Sequence, residues 1–400
     1  MNIYAIFCAG TDSPEKVGIH CGNERIFIEC AKRWSSPTTN IHVIISYDGL
    51  QKCKMYGLDN IKYTVSQPKT FRELGTIKFH IINTITSSIK ALTIPIDGEK
   101  TIVYPSCEFF MDLIPAWIIK TRNKKVKFIA SFYLFSPNPF TEQVYQGFVG
   151  KIRNIFWFFS QKFGYWLIRK NADMVFVTNE QDRWKFINTR LIQSKVIAVR
   201  GGVDINLSKS VIAPQKKKYD VVSIGRFHPQ KGILEFIEIW RKVVDVKNDA
   251  KLVIIGAGDL EKDIHQKIQK YDLENNIIFT GFKDGVEKLK IFKNSKIVVE
   301  PSIYASGGMA SVEAMSCGLP GICFDLPVWR EYFPKGMIKI PLYNLEDFAN
   351  QIIFLLNNNK KYLELQKEAL ELADEWDWDK RSQFLLESIE NLFLESDNND

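Results

Sequence analysis

Short apolar runs alternate with longer stretches of helical periodicity along this chain, and they do so twice. In the first half, residues 2–8, Ile41 to Tyr47, Ile61 to Val65, Thr101 to Tyr104, Val126 to Ser131 and Asp173 to Val177 read as strands. The spacing between them predicts helices over Asn23 to Trp34, Phe71 to Leu92, roughly 108–120 and 148–170. Strands alternating with helices indicate a parallel sheet covered on both faces. Residues 201–218, GGVDINLSKSVIAPQKKK, break the pattern with Gly, Pro, Ser and Lys and read as a domain linker. The pattern then restarts. Tyr219 to Ile224, Leu252 to Ile255, Ile277 to Thr280, Lys296 to Val299 and Gly321 to Phe324 are strands, and the chain is helical from about Leu345 to Leu394. The fold class is α/β, with two Rossmann-like doubly wound domains facing a central cleft. The boundaries read as 1–205, an acceptor-binding domain, and 206–375, with 376–400 a helix packing back toward the first domain. In open sheets of this kind ligands sit beyond the carboxyl ends of the strands.

Bulk properties narrow the class. A chain of 400 residues is longer than one core supports, so two domains are expected. Contents of 46% hydrophobic and 25% charged residues are those of a soluble globular protein. The start, Met1 to Phe7, has no basic segment and reads as a first strand, not a signal peptide. No apolar run reaches the ~18 residues of a membrane span. The seven cysteines are scattered without a C-x-x-C, which fits reduced thiols in a cytoplasmic protein and argues against a zinc site or a disulfide frame. Charge is uneven. Residues 1–200 hold 27 Lys+Arg against 15 Asp+Glu, +12, while residues 201–400 come to −5. A basic half beside an acidic one suggests that one half faces an anionic surface. A nucleic-acid binder is disfavoured, because no base-reading motif accompanies the basic excess.

Candidate chemistry concentrates in Pro301 to Pro320, PSIYASGGMASVEAMSCGLP. Its helix starts near Gly308, and its first turn holds only Met309, Ala310 and Ser311. Free N–H groups and a positive dipole end suit a phosphate there. Gly307 and Gly308 let a ligand approach the backbone. Glu313, one turn in, can accept hydrogen bonds from sugar hydroxyls. Upstream, Gly225-Arg226-Phe227 and Lys231-Gly232 place two cations five residues apart at a strand end, where both reach one diphosphate. Gly256-Ala257-Gly258 is a two-glycine turn without the third glycine and the acidic residue of a dinucleotide site.

Together these segments resemble the glycosyltransferases of the GT-B fold, most closely the large retaining family 4. The residues that carry the resemblance are Gly225-Arg226-Phe227-x-x-x-Lys231-Gly232, Leu252 to Gly258, Ile278-Phe279-Thr280-Gly281, Pro301-Ser302, Glu313-Ala314-Met315-x-x-Gly318-Leu319-Pro320 and Glu331. The match is dense over about 220–335. In the first half it extends only to a glycine loop, Gly22-x-Glu24 opening a helix, and the exit Gly202-Val203-Asp204. The resemblance implies a nucleotide-diphosphate-sugar donor of UDP or GDP type, held by the second domain. Arg226 and Lys231 would neutralise the diphosphate leaving group and are the catalytic candidates. Gly225, Gly256, Gly281, Phe282, Ser306, Gly307, Gly308, Met309, Ala310 and Glu313 would bind the donor, Glu313 at the ribose and Phe282 beside the base. The first-domain loop from Gly10 to Gly22 would face the donor across the cleft. No metal and no cofactor are implied, in keeping with the lack of a D-x-D near the proposed site.

Two departures bear on activity. The family places a second glutamate eight residues before the one matching Glu313, and here that position is Ala305, with Ser306 a weaker substitute. The family often has a histidine after a mid-domain strand, and Ile129 to Tyr133 contains none. His20, Asp12 and Glu108 are the candidate general bases. Three readings follow: a retaining, metal-independent hexosyltransferase of glycan or glycolipid synthesis, a nucleotide-sugar-binding protein with lost or altered catalysis, and a GT-B sugar-nucleotide epimerase. The first expects a hydroxyl acceptor, lipid-linked or oligosaccharide. Residues 151–170, KIRNIFWFFSQKFGYWLIRK, pair aromatics with basic ends, and 109–125 adds cations after an apolar helix. Both suggest peripheral contact with the inner face of an anionic membrane.

Overall fold

The computed structural model describes residues 1–8, 22–96, 98–140, 147–187, 191, 193–305 and 307–397. The chain divides into two compact units. The first is Met1–Gly201 with Asp379–Asp400, and the second is Gly202–Trp378.

The first unit is built on seven parallel strands: β1 (Asn2–Phe7), β2 (Asn40–Ile45), β3 (Lys62–Val65), β4 (Thr101–Pro105), β5 (Lys127–Phe132), β6 (Met174–Val177) and β7 (Val196–Ala198). Their order is β3-β2-β1-β4-β5-β6-β7. The chain therefore reverses direction across the sheet between β1 and β4. β1 pairs in parallel with β2 and β4, Ile3 opposite Ile41 and Ile102. β1, β4, β5 and β6 are almost wholly buried, which is why they read as continuous apolar runs and not as alternating ones. The last helix closes on the first: Trp34 Nε1 donates to Ser382 O at 2.9 Å, and Arg33 Nε to Asp379 Oδ1 at 2.6 Å.

The second unit repeats the plan with β8 (Tyr219–Ile224), β9 (Leu252–Ile255), β10 (Ile277–Phe279), β11 (Ser295–Glu300), β12 (Gly321–Phe324) and β13 (Met337–Ile340), all parallel. The order is β10-β9-β8-β11-β12-β13, so direction reverses between β8 and β11. One core lies on each face of this sheet, one around Trp329, Tyr332 and Trp376, the other around Phe236, Trp240 and Phe348.

Three expectations are corrected. Residues 201–218 are not merely a linker. Asp204 caps a helix at Ile205–Ser210, its carboxylate accepting from Leu207 N at 2.8 Å, and Val203, Ile205 and Val211 are buried in the second unit's core. The helix expected over Phe71 to Leu92 begins at Thr76, because Gly75, at φ 86°, ends a short 3₁₀ turn there. The helical tail from Leu345 is three helices, Leu345–Asn357, Asn359–Asp374 and Trp378–Asp397. Cys8, Cys30, Cys53, Cys107, Cys317 and Cys323 are free and buried, and burial pushes the Cys317 thiol up to about 11.

Candidate active site

The second unit's site forms where its sheet reverses, at the carboxyl ends of β8 and β11. Open parallel sheets leave a crevice at such a point because neighbouring connections depart to opposite faces. After β8 the chain passes Gly225 and the exposed Arg226, then turns through Pro229–Lys231. Gly232 ends that turn in the left-handed region, φ 59°, and opens the helix Ile233–Val246. A Cβ on Gly232 would stand 2.0 Å from Pro301 O, so the residue must be glycine for this turn to lie against the β11 loop. Ile303 N donates to Gln230 O at 3.0 Å across the same junction.

Gly225, Arg226, Lys231, Glu300 and Pro301 line one shallow depression. Lys231 Nζ stands 3.8 Å from Glu300 Oε1. Glu300 ends β11 and is buried. It accepts a hydrogen bond from Ser302 Oγ, and another from Ser311 Oγ at 2.9 Å. Ser311 lies in the first turn of the helix Met309–Ser316, whose N-cap residue Gly308 supplies no side-chain cap. Glu300 therefore joins the Lys231 ammonium to the start of that helix. Arg226 and Lys231 bring two cations to this depression, the Glu300 carboxylate offsets part of the Lys231 charge, and the start of Met309–Ser316 adds backbone N–H groups on the far side of Glu300.

The two glycines at that start differ. A Cβ on Gly308 would meet Phe333 at 2.6 Å and Trp329 at 2.8 Å, so internal packing demands glycine there. A Cβ on Gly307 would approach only Tyr332, at 3.1 Å. Gly256, at φ 155°, donates its N–H to Gly281 O at 3.0 Å, and a Cβ on it would stand 2.0 Å from Gly225 O. The turns after β8, β9 and β10 are thus stacked edge to edge. Phe282 follows Gly281 and is 37% exposed. Met309 and Ala310 are half-buried.

Glu313 is not bare. Lys288 Nζ donates to its Oε1 at 3.0 Å and Oε2 at 2.8 Å, and to Asp284 Oδ1 at 2.7 Å. Burial alone would lower the Lys288 pKa, but the Glu313 and Asp284 charges beside it raise it instead. The side chain of Glu313 remains 17% exposed, and each carboxylate oxygen keeps a further lone pair.

Lys288 and Glu300 were missed by sequence reasoning. Glu300 carried a signal, a lone acid closing an apolar strand. Lys288 had only Asp284 four residues earlier on the helix Gly285–Lys293 side. Ala305 packs against the second unit's core. Ser306 lies outside the described residues.

In the first unit, Gly22 is the exposed first residue of the helix Gly22–Trp34, and the loop Gly10 to His20, with Asp12 and His20, lies outside the described residues. Glu24 forms a buried pair with Lys52, whose Nζ donates to both oxygens at 2.7 Å. Asp112, at the sheet reversal, accepts from Cys8 N at 2.8 Å and Ser106 Oγ at 2.5 Å, and burial pushes its carboxyl up to about 7. Glu108 is likewise buried. Tyr133 N and Gln161 Nε2 donate to it at 3.2 and 3.1 Å, and burial raises it to about 7.

The sequence pattern of the family described as glycosyl transferases group 1 matches residues 204–372. The poly(glycerol-phosphate) alpha-glucosyltransferase of Bacillus subtilis is 25% identical over 215 residues, 52% of this chain and 31% of that protein. An uncharacterized glycosyltransferase of Methanocaldococcus jannaschii is 31% identical over 140 residues, 32% of this chain and 36% of that one. The matches thus span about a third of the length of these two curated relatives. Among solved structures, Anabaena HepE in complex with UDP and glucose aligns over 96% of this chain and 99% of its own, with a TM-score of 0.71 and 17% identity. The chain has the GT-B fold, and its residues 204–372 are similar to the glycosyl transferases group 1 family.

Proposed function

We propose that the protein is a glycosyltransferase that moves a hexose from a nucleotide-diphosphate donor to a hydroxyl acceptor with retention of configuration and without a metal ion. The observation that carries this reading is the single depression shared by Arg226 and Lys231, with Lys231 linked through Glu300 to the first turn of Met309–Ser316. In the reaction the bond from the anomeric carbon to the diphosphate oxygen breaks, and the diphosphate takes the electron pair. The acceptor oxygen bonds the same carbon and passes its proton to the departing diphosphate. Arg226 and Lys231 are assigned to the charge that grows on the leaving group. Gly225, Gly307, Gly308, Met309 and Ala310 are assigned to the phosphates and sugar, Glu313 to the ribose, and Gly256, Gly281 and Phe282 to the nucleoside.

The bound UDP and glucose of the Anabaena neighbour support a uridine donor. The Bacillus relative, named for a poly(glycerol-phosphate) acceptor, supports a hydroxyl on a polymer or lipid-linked glycan. Acceptor binding is assigned to residues 1–205. Incubating the protein with UDP-, GDP- and ADP-sugars and an acceptor panel, and measuring released nucleotide and glycosylated product, tests the reading. Release of nucleotide with product retaining the donor's anomeric configuration supports it.

A second reading has its own observation. Ala305 stands where the family has a carboxylate, and it is partly buried against the core. Donor binding by calorimetry without nucleotide release, with any acceptor, would favour a binding protein that has lost turnover.

A further inference from the structure

Two helices of the first unit carry rows of large apolar side chains that face solvent. On Gly147–Asn171 the row is Phe148, Ile152, Ile155, Phe159, Phe163 and Trp166, between 39% and 80% exposed. Successive members are three or four residues apart, which holds them on one helix face. On Thr76–Thr93 the row is Ile81, Ile85, Ile89 and Leu92, 48–56% exposed. The other faces of these helices are seated. The Trp157 ring lies 4.6 Å from His80 and 4.8 Å from Phe109, and Asn83, Ser87 and Leu167 are buried. The aromatics of 151–170 therefore divide. Trp157 belongs to the seam between the helices, while Phe159, Phe163 and Trp166 point outward. Apolar rows of this size are rarely left uncovered.

Charge identifies what covers them. The helices Thr76–Thr93, Phe110–Arg122 and Gly147–Asn171 together hold nine Lys and Arg and one acid, Asp112, which is buried. Cations flank the row itself. Lys170 Nζ lies 4.6 Å from the Trp166 ring and Lys162 Nζ 5.2 Å from the Phe158 ring. A second copy brought face to face would oppose cation to cation. A bilayer with anionic headgroups offers negative charge at the rim and hydrocarbon beneath it, matching both features. Among the described residues no helix is long and apolar enough to cross a membrane, so the contact lies in the interface plane.

We propose that the outward rows of Thr76–Thr93 and Gly147–Asn171 form one docking face for an anionic lipid surface. The face is independent of the transfer reading, since none of its residues belongs to the donor corner.

The test is sedimentation of the full chain with vesicles of phosphatidylcholine alone and of phosphatidylcholine mixed with phosphatidylglycerol. Binding is expected on the mixed vesicles, weakening with salt. F159S/W166S and I85S/I89S should each weaken it at least about tenfold, and K162Q/K170Q should weaken it on the mixed vesicles by roughly fivefold per cation. Brominated lipid should quench the wild-type tryptophan emission and quench W166F less, a readout that does not depend on how well the serine variants fold. Absence of binding to mixed vesicles overturns the proposal. So does binding that the apolar variants leave unchanged, or a dimer in ultracentrifugation that these variants dissociate, which would make the face a contact between copies.

Discussion

Both carboxylate oxygens of Glu313 accept hydrogen bonds from the Lys288 ammonium, at 3.0 and 2.8 Å, and Asp284 holds the same ammonium from the other side at 2.7 Å. The pair spans two helices, and it fixes the direction in which Glu313 presents its remaining lone pairs. A carboxylate meant for a ribose diol gains from such fixing, because a free rotamer would have to be ordered on binding. With Glu313 assigned to the ribose as proposed, Lys288 is its positioning residue.

Replacing it tests the point. K288M leaves two carboxylates facing a methyl group and should cost about 3 kcal/mol in denaturant unfolding. E313Q in the K288M background should restore part of that loss, a coupling that independent sites would not show. For donor kinetics, KM should rise more than kcat falls, since the ammonium orients a binding group. The Lys288 pKa is raised in the folded state, so its contribution is complete below the unfolded lysine pKa and lost only as pH climbs through the folded one. K288M should therefore destabilise the protein equally at pH 6 and pH 8.

Gly232 offers a purely geometric prediction. At φ 59° a side chain is disfavoured, and a Cβ would sit 2.0 Å from Pro301 O. G232A should destabilise the second unit by more than about 2 kcal/mol. By prising the Lys231 turn from the β11 loop it should also weaken donor binding. G281A, where no atom lies within 4 Å of the added Cβ, meets only the strain of its φ of 67° and should cost about 1 kcal/mol.

Glu108 makes a prediction in pH. Burial, opposed by the hydrogen bonds from Tyr133 N and Gln161, raises its carboxyl from 4.5 to about 7. The folded state therefore holds the proton more tightly than the unfolded one. Its contribution to stability is full below about pH 4.5, falls as pH rises toward 7 and is level above that. E108Q cannot ionise, so the difference in unfolding free energy between variant and wild type should grow in the variant's favour across that window. A parallel pair of pH profiles would contradict the burial of a titrating carboxyl at this position.

Much of the fold was legible because its physics is local. Tyr219–Ile224, Leu252–Ile255 and Gly321–Phe324 end where apolar runs meet Gly or a polar residue, and the structure places their ends at the same residues. β7 and β13 were not read: β7 has only three residues, and Lys339 breaks the apolar run of β13. The helix Ile205–Ser210 was hidden by a linker-like composition, though Asp204 was a capping residue in plain view. At the site, the glycines and cations could be read from spacing. Lys288 could not, because its partner Glu313 lies 25 residues away and meets it only through helix packing. Gly308 was read as an opening for a ligand, whereas Phe333 and Trp329 already require its lack of a side chain. Trp157 and Phe159 are two positions apart in an aromatic run, and only the packing of His80 and Phe109 against one of them tells them apart.

The assignment of a diphosphate to Arg226 and Lys231 is tested most directly by calorimetric titration of UDP into the wild type and into R226A and K231A, the nucleoside uridine serving as the uncharged control. A diphosphate held by these two cations requires UDP to bind each variant at least about tenfold more weakly at unchanged melting temperature, with uridine affinity unaltered. Equal UDP affinity in all three proteins would contradict it.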